Sequence, residues 1–443
     1  MFTKKRKIDM ATKLENNRPY NIFFSSINQI PETLQQRNSI TFSDLLCPSL
    51  GELKCSLQIN FLIDIPWIID QYKVHKVDNT PITILYGKII KENKQGDYKI
   101  PSNIKHKEII CNQYGTHHSK LGVYVYSDNS LRIIVSTANL FKEDWSNYNQ
   151  GIWVSPKCFS LPEGSLEKDG ESPTGFKTSL LKYLDAYSKC KAFTSNFEDI
   201  IKKTDFSHIN VFLVTSTPGN HSLQQDTGCH LLRTRDLLNK YCDLSNQDIL
   251  NWEINAQASS IGSLQTPEHW LLGDFLTTLK SAILDQEHSP HLNVIFPTAK
   301  NVQTSLFREE GGKCLSYLKS NDEKQLWVRD YLFQWSANYW SRTHAMPHIK
   351  TYCRISPCKS KLAWLLLTSA NISVAAWGNK INKQGTSYVR SYEVGVLFLP
   401  KFFNQEFFNI AQQENANSFP FIYDTDLIPY DKDDNPYYSN LKF

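Results

Sequence analysis

Short apolar runs punctuate both halves of the chain, and they come in matched sets. Leu121 to Tyr126 and Leu131 to Val135 in the first half, and Thr351 to Ile355 and Leu362 to Leu367 in the second, are strand-sized and rich in strand-forming residues. Gly151 to Val154 and Val394 to Leu399 predict a further strand in each half. Elsewhere the period changes. Phe176, Leu180, Leu181, Leu184 and Tyr187 recur at helical spacing, as do Leu271, Leu272, Phe275, Leu276 and Leu279. Strands mixed with amphipathic helices predict α/β layers in each half. Pro156 to Gly175, with three prolines and three glycines, reads as a long surface loop. Residues 1–40 are mostly polar and read as a flexible tail. A junction near Ser207 to Ile209, before the strand-like Asn210 to Val214, divides the remainder into domains of residues 41–209 and 210–443.

The matched runs carry matched polar residues. His118-Ser119-Lys120 is followed by Ser136-Thr137-Ala138-Asn139 and Trp145, and His348-Ile349-Lys350 by Thr368-Ser369-Ala370-Asn371 and Trp377. His to Asn spans 21 positions in the first copy and 23 in the second, and Asn to Trp spans 6 in both. In an extended segment the His and Lys at i and i+2 share one face. Each copy thus predicts a strand, strand, turn unit that brings His, Lys and Asn to one end of a sheet, while His117 faces the other way as a structural residue. A lone histidine is more often a satisfied core or surface group than a catalyst; a duplicated triplet reverses those odds. Two imidazoles, two ammonium groups and two amides make a receptor for a tetrahedral anion, and the natural ligand is a phosphoryl group.

The duplicated HxK with a downstream Asn resembles the phospholipase D superfamily, although neither copy has the Asp of that superfamily's HxKxxxxD motif. Its replacement by a distal Asn, with Tyr-Gly-Thr-His-His-Ser-Lys at 114–120, Met-Pro-His-Ile-Lys-Thr-Tyr at 346–352 and Arg-Ser-Tyr-Glu at 390–393, resembles the tyrosyl-DNA phosphodiesterases, as do Ser-Thr-Pro-Gly at 216–219 and Ser-Ser-Ile-Gly-Ser-Leu at 259–264. The likeness runs from about residue 45 to the end. It implies two similar phospholipase D-like α/β domains, mixed sheets flanked by helices, related by a pseudo-twofold axis with the active site at their interface. It also implies a repair enzyme that hydrolyses the 3′-phosphotyrosyl bond between DNA and a topoisomerase I remnant, with other 3′, and 5′, end adducts as further candidates. His118 would be the nucleophile that becomes phosphohistidine, and His348 the general acid and then base. Lys120, Lys350, Asn139 and Asn371 would hold the phosphoryl oxygens, with Glu393 orienting His118 and Gln150 orienting His348. The likeness further assigns Tyr114 as a base-stacking ring and Ser259, Ser260 and the backbone near Ser373 as phosphate contacts on single-stranded DNA. Arg342 and the tyrosines of the tail, Tyr423, Tyr430, Tyr437 and Tyr438, are candidates for the peptide side. A general phosphodiesterase or nuclease of the same superfamily is the alternative, and a silent DNA-binding homologue the contrasting class.

Composition narrows the setting. Forty-eight basic and 44 acidic residues leave a net charge of +4, so any anion site must be local rather than a property of the whole surface. No apolar run approaches the roughly 18 to 20 residues of a membrane span, and no apolar stretch follows Lys4 to Lys7 to form a signal peptide. The expectation is a soluble protein, with that basic cluster as a nuclear import signal. Ten cysteines lack metal or disulfide spacing and are expected to be free thiols. No Walker loop or HExxH is present, and no metal or other cofactor is expected. The internal pseudo-dimer needs no second subunit, so a monomer is expected.

Overall fold

The computed structural model describes residues 8–90, 99–225, 228–242, 251–280, 289–413, 415 and 417–439. Lys4 to Lys7 lie outside them. Two large mixed sheets organise the chain. The first contains β1 (Ile22–Ser25), β2 (Ser39–Ile40), β3 (Leu53–Ile63), β4 (Ile82–Ile89), β5 (Ile104–Glu108), β6 (Leu121–Tyr126), β7 (Leu131–Ser136) and β8 (Gly151–Val154), in the order β2-β1-β8-β7-β6-β3-β4-β5. The second contains β9 (Phe212–Ser216), β10 (Glu253–Gln257), β11 (Leu292–Ile295), β12 (Leu332–Phe333), β13 (Thr351–Ile355), β14 (Lys361–Thr368) and β15 (Glu393–Phe398), in the order β9-β15-β14-β13-β10-β11-β12. Without β2, and without the two-residue strand Phe408–Asn409 that pairs with the start of β14, the two orders superpose strand for strand. Their hydrogen-bonding senses agree too: β3 with β4 and β10 with β11 are parallel, while β6 with β7 and β13 with β14 are antiparallel. The sequence repeat is a fold repeat.

For residues 8–40 the matching corrects the reading of a flexible tail. Met10–Asn16 is a helix capped by the Asp9 side chain, and β1 is the first-half counterpart of β9, paired antiparallel to β8 as β9 is to β15. Polar neighbours hid this strand because it is only four residues long; all four are buried.

Alternation along the strands decides which core each side chain joins. Leu121, Val123 and Val125 of β6 and Leu131, Ile133 and Val135 of β7 face a large core that continues through the second half. Tyr124, Tyr126 and Ile134 face a smaller core closed by Ile65, Ile68, Ile69 and Tyr72 of the helix Ile65–Val74. Each such residue, fully buried, contributes about 1.5–3 kcal/mol. The helix expected from Phe176 runs Phe176–Asp185 and packs into the large core, whereas the one expected over Leu271 to Leu279 is broken at Gly273, where φ −82° and ψ −113° are not helical. No regular element lies between Val154 and Phe176, as the prolines and glycines there predict. Among the described residues no helix is long and apolar enough to cross a membrane, and no His, Cys, Asp and Glu cluster could hold a metal. All ten cysteines are free.

Candidate active site

Each half ends its central strands at the same place, and the two places meet. The HxK segments precede β6 and β13 directly, and both are tied by backbone bonds to the other half. The His118 N–H donates to Tyr392 O at 2.9 Å, one residue before Glu393, and the His348 N–H donates to Asn149 O at 2.9 Å, one residue before Gln150. These crossed bonds carry each half's orienting side chain to the other half's histidine. The Glu393 carboxylate accepts from His118 Nδ1 at 2.9 Å, and the Gln150 side-chain amide lies 2.9 Å from His348 Nδ1.

The same position of each Ser/Thr-rich quartet braces these partners. Thr137 Oγ1 donates to Gln150 Oε1 at 2.7 Å, and Ser369 Oγ donates to Glu393 Oε2. Asn139 and Asn371 also match. Asn139 Oδ1 accepts from the Leu62 N–H at 3.3 Å, and Asn371 Oδ1 from the N–H and hydroxyl of Ser259 at 3.0 and 3.2 Å. With the carbonyl ends engaged, each amide keeps its NH2 for an anion. The tryptophans do not match: Trp145 Nε1 fixes the Asn139 carbonyl at 2.9 Å, whereas Trp377 packs edge-on against Tyr352.

His118, His348, Asn139 and Asn371 open on one groove of about 970 Å³, with Tyr114, Ser259, Ser260, Ser373 and Glu393 along it. Lys120 and Lys350 are buried beside the histidines, each ammonium donating to the carbonyl of the histidine two residues before it. Tyr114 projects into solvent, 74% exposed, from a left-handed backbone at φ 64°. Few non-glycine residues adopt that conformation, and the ring it presents is held beside the Arg390 guanidinium. His117 turns away, as its place in an extended segment predicts, between Asn60 O and the Tyr187 hydroxyl.

Two expectations fail. Arg342 is not at the groove: it is 1% exposed and its guanidinium donates to Ser25 O, Gln36 Oε1, Ser39 Oγ and Asn149 Oδ1, clamping the N-terminal segment to the loop before Gln150. The tail tyrosines are elsewhere as well. Tyr423 is buried, the Tyr430 hydroxyl donates to Phe296 O, and Tyr437 and Tyr438 line a separate cavity of about 520 Å³.

Burial and crowded positive charge shape the protonation of the site. Burial, with Lys350 next, pulls His348 down to about 4, and burial lowers Lys350 to about 7 and Lys120 to about 8. Burial also lowers His118, opposed by the Glu393 charge. For Glu393 burial acts upward, but His118, Lys120 and Ser369 outweigh it and hold the carboxyl below its usual range.

One residue of the site was missed by the sequence reading. Asp144 is 1% exposed, lines the groove, and places Oδ2 3.3 Å from His348 Nδ1 while accepting the Asn139 N–H. The repeat could have flagged it by contrast, since the matching position five residues after Asn371 is Ala376.

Two like α/β halves that share one groove, with a His and an Asn from each along it, mark a duplicated phosphodiesterase of the phospholipase D type. The tyrosyl-DNA phosphodiesterase family model matches residues 21–437, reaching back to β1. A tyrosyl-DNA phosphodiesterase 1 of Drosophila melanogaster is 37% identical over 446 residues, covering 97% of this chain and 75% of that protein. A probable tyrosyl-DNA phosphodiesterase of Caenorhabditis elegans is 30% identical over 450 residues, covering 99% of this chain and 93% of that one. The crystal structure of the yeast tyrosyl-DNA phosphodiesterase shares the fold with a TM-score of 0.72 at 21% identity, over 95% of this chain and all of that one. The chain belongs to the tyrosyl-DNA phosphodiesterase family and is a phosphodiester hydrolase.

Proposed function

We propose that this enzyme hydrolyses the bond between a DNA 3′ phosphate and a tyrosine, the remnant of a trapped topoisomerase I, through a phosphohistidine on His118. The observation that carries this reading is the crossed support of two histidines over one groove: each ring's Nδ1 is engaged by the other half, leaving Nε2 to meet the substrate. His118 Nε2 attacks phosphorus, the P–N bond forms, and the P–O bond to tyrosine breaks as His348 Nε2 gives its proton to the phenolate. His348 then takes a proton from water, whose oxygen attacks phosphorus, and the P–N bond breaks to return His118. One water is consumed, and DNA 3′ phosphate and tyrosine leave.

Lys120, Lys350 and the amides of Asn139 and Asn371 supply the positive field at the phosphoryl oxygens that a metal would otherwise provide, so the reaction is metal-independent. The depressed pKa of His118 keeps the nucleophile neutral. The phosphodiester anion, placed among the lysines, raises His348 toward the protonated state that an acid requires. Tyr114 suits stacking on a DNA base, and Ser259, Ser260 and Ser373 suit its backbone phosphates. The protein acts as a monomer in the nucleus.

A 3′-tyrosyl oligonucleotide incubated in EDTA tests the reading. Cleavage to 3′ phosphate is expected from the wild type. His348→Asn is expected to accumulate protein-bound DNA when the leaving group is good, and His118→Ala to form neither product nor adduct. Strict dependence on added metal, or an adduct that persists in His118→Ala, refutes the assignment.

A further inference from the structure

We propose that Asp144 is the positioning residue of the general acid, holding the proton of His348 on Nδ1 and its Nε2 toward the leaving group. This rests on the reading of His348 as acid and base. The two copies distribute their charges differently. In the second copy the residue five after Asn371 is Ala376 and the later orienting residue is Glu393; in the first, the residue five after Asn139 is Asp144 and the later one is Gln150. The carboxylate has changed place in the repeat, yet each histidine still faces one carboxylate from the other half: Glu393 at 2.9 Å from His118 Nδ1, Asp144 at 3.3 Å from His348 Nδ1.

The amide is placed to leave this role to Asp144. The Gln150 oxygen is occupied by the Thr137 hydroxyl, and its NH2 also reaches Asp144 O at 3.1 Å, so the side chain is fixed as a donor on this side. The amide can donate to Nδ1 only while that nitrogen is bare, and it cannot accept the Nδ1 proton once His348 is charged as the acid. The Asp144 carboxylate can, and it is anchored by the Asn139 N–H so that its Oδ2 stays in place. A carboxylate on Nδ1 fixes the imidazole tautomer and stabilises the imidazolium. The charges that act most strongly on His348 are Lys350 on its own segment, Asp144 from the first half and Lys120 across the site. Asp144 is the negative one among them. Burial pushes its carboxyl up, but His348 and the Asn139 N–H outweigh burial and keep it ionised.

The test separates acid assistance from folding. Asp144→Asn keeps an oxygen for the Asn139 N–H and removes the charge. Against a 3′-tyrosyl oligonucleotide, whose phenolate needs a proton, its first step is expected to slow by up to about 100-fold, the lower end of what a general acid contributes. Against a 3′-(4-nitrophenyl) phosphodiester, whose weakly basic leaving group departs unprotonated, formation of the adduct is expected to stay near the wild-type rate, while decay of the adduct slows because the base is weakened. Asp144→Glu is expected to restore part of the discrimination. Equal loss on both substrates, or an unchanged ratio in Asp144→Asn with wild-type adduct decay, overturns the role of Asp144. A wild-type enzyme that forms no phosphohistidine would overturn the chemistry of His118 and His348 as well, so the two failures are told apart by the wild-type burst alone.

Discussion

Glu393→Gln isolates the charge behind His118, the proposed nucleophile. The carboxylate is 3% exposed and sits 2.9 Å from His118 Nδ1, and its other bond, from the Ser369 hydroxyl, can be kept by an amide oxygen. What changes is the charge. As His118 attacks, its ring becomes cationic, and with about 4 Å between charge centres and an effective dielectric near 20 the full attraction is about 4 kcal/mol. Only part of that charge has developed at the transition state and the amide retains a dipole, so a loss of about 2–3 kcal/mol is expected, a slowing of roughly 30- to 150-fold in adduct formation. The pH profile supplies the sign. His118 must be neutral to attack, so activity falls as pH drops through its pKa. Glu393 raises that pKa, and it also raises Lys120, which must keep its proton to hold phosphate. Removing the carboxylate lowers both, and the acid limb of kcat/KM against pH, which His118 sets, moves toward acid while the height of the profile falls. Single-turnover cleavage of a 3′-tyrosyl oligonucleotide across pH reads both effects. A profile that keeps its position, or moves toward alkali, would refute the electrostatic role.

Two further substitutions test the junction between the halves. A Cβ on Gly115 would lie 2.2 Å from Arg390 O, beside the bonds joining Thr116 to Ser391 and His118 to Tyr392, so Gly115→Ala should cost about 1–3 kcal/mol and lower kcat by shifting Glu393 from His118; denaturant unfolding with unchanged midpoint would contradict this. Arg342→Ala should destabilise by about 3 kcal/mol, because three buried acceptors and the partly buried Gln36 oxygen lose their donor, and a wild-type midpoint with reduced peptide-substrate affinity would instead return Arg342 to the substrate side.

What the sequence disclosed follows from where chemistry is repeated. His118, Lys120 and Asn139 were legible because His348, Lys350 and Asn371 repeat them, and β6 and β13 because both are rich in strand-forming residues and buried on both faces. Asp144 was not, since a residue present in one copy has no echo, and the adjacent Trp145 drew the comparison instead. β1 was not, because four residues carry too little pattern and its partner β8 lies more than a hundred positions away. Arg342 misled for a different reason. An arginine near a catalytic histidine suggests a ligand, and only the three-dimensional placement of Ser25, Gln36 and Ser39 shows that its charge is spent on backbone and side-chain acceptors of the N-terminal segment.

The crossed architecture explains why neither half could work alone. Each HxK segment brings its own lysine but obtains the partner for its Nδ1 from the other sheet, and the backbone bond that positions the histidine is made to the residue next to that partner. A displacement of one half would therefore loosen the histidine and its support together. Arg342 closes the same circuit from outside, since it holds both Asn149, which receives the His348 N–H, and the segment that supplies β1. Loss of the interface should accordingly abolish both chemical steps at once, whereas loss of Glu393 alone should chiefly slow attack by His118, and loss of Asp144 alone should slow the proton transfers that His348 makes in each step.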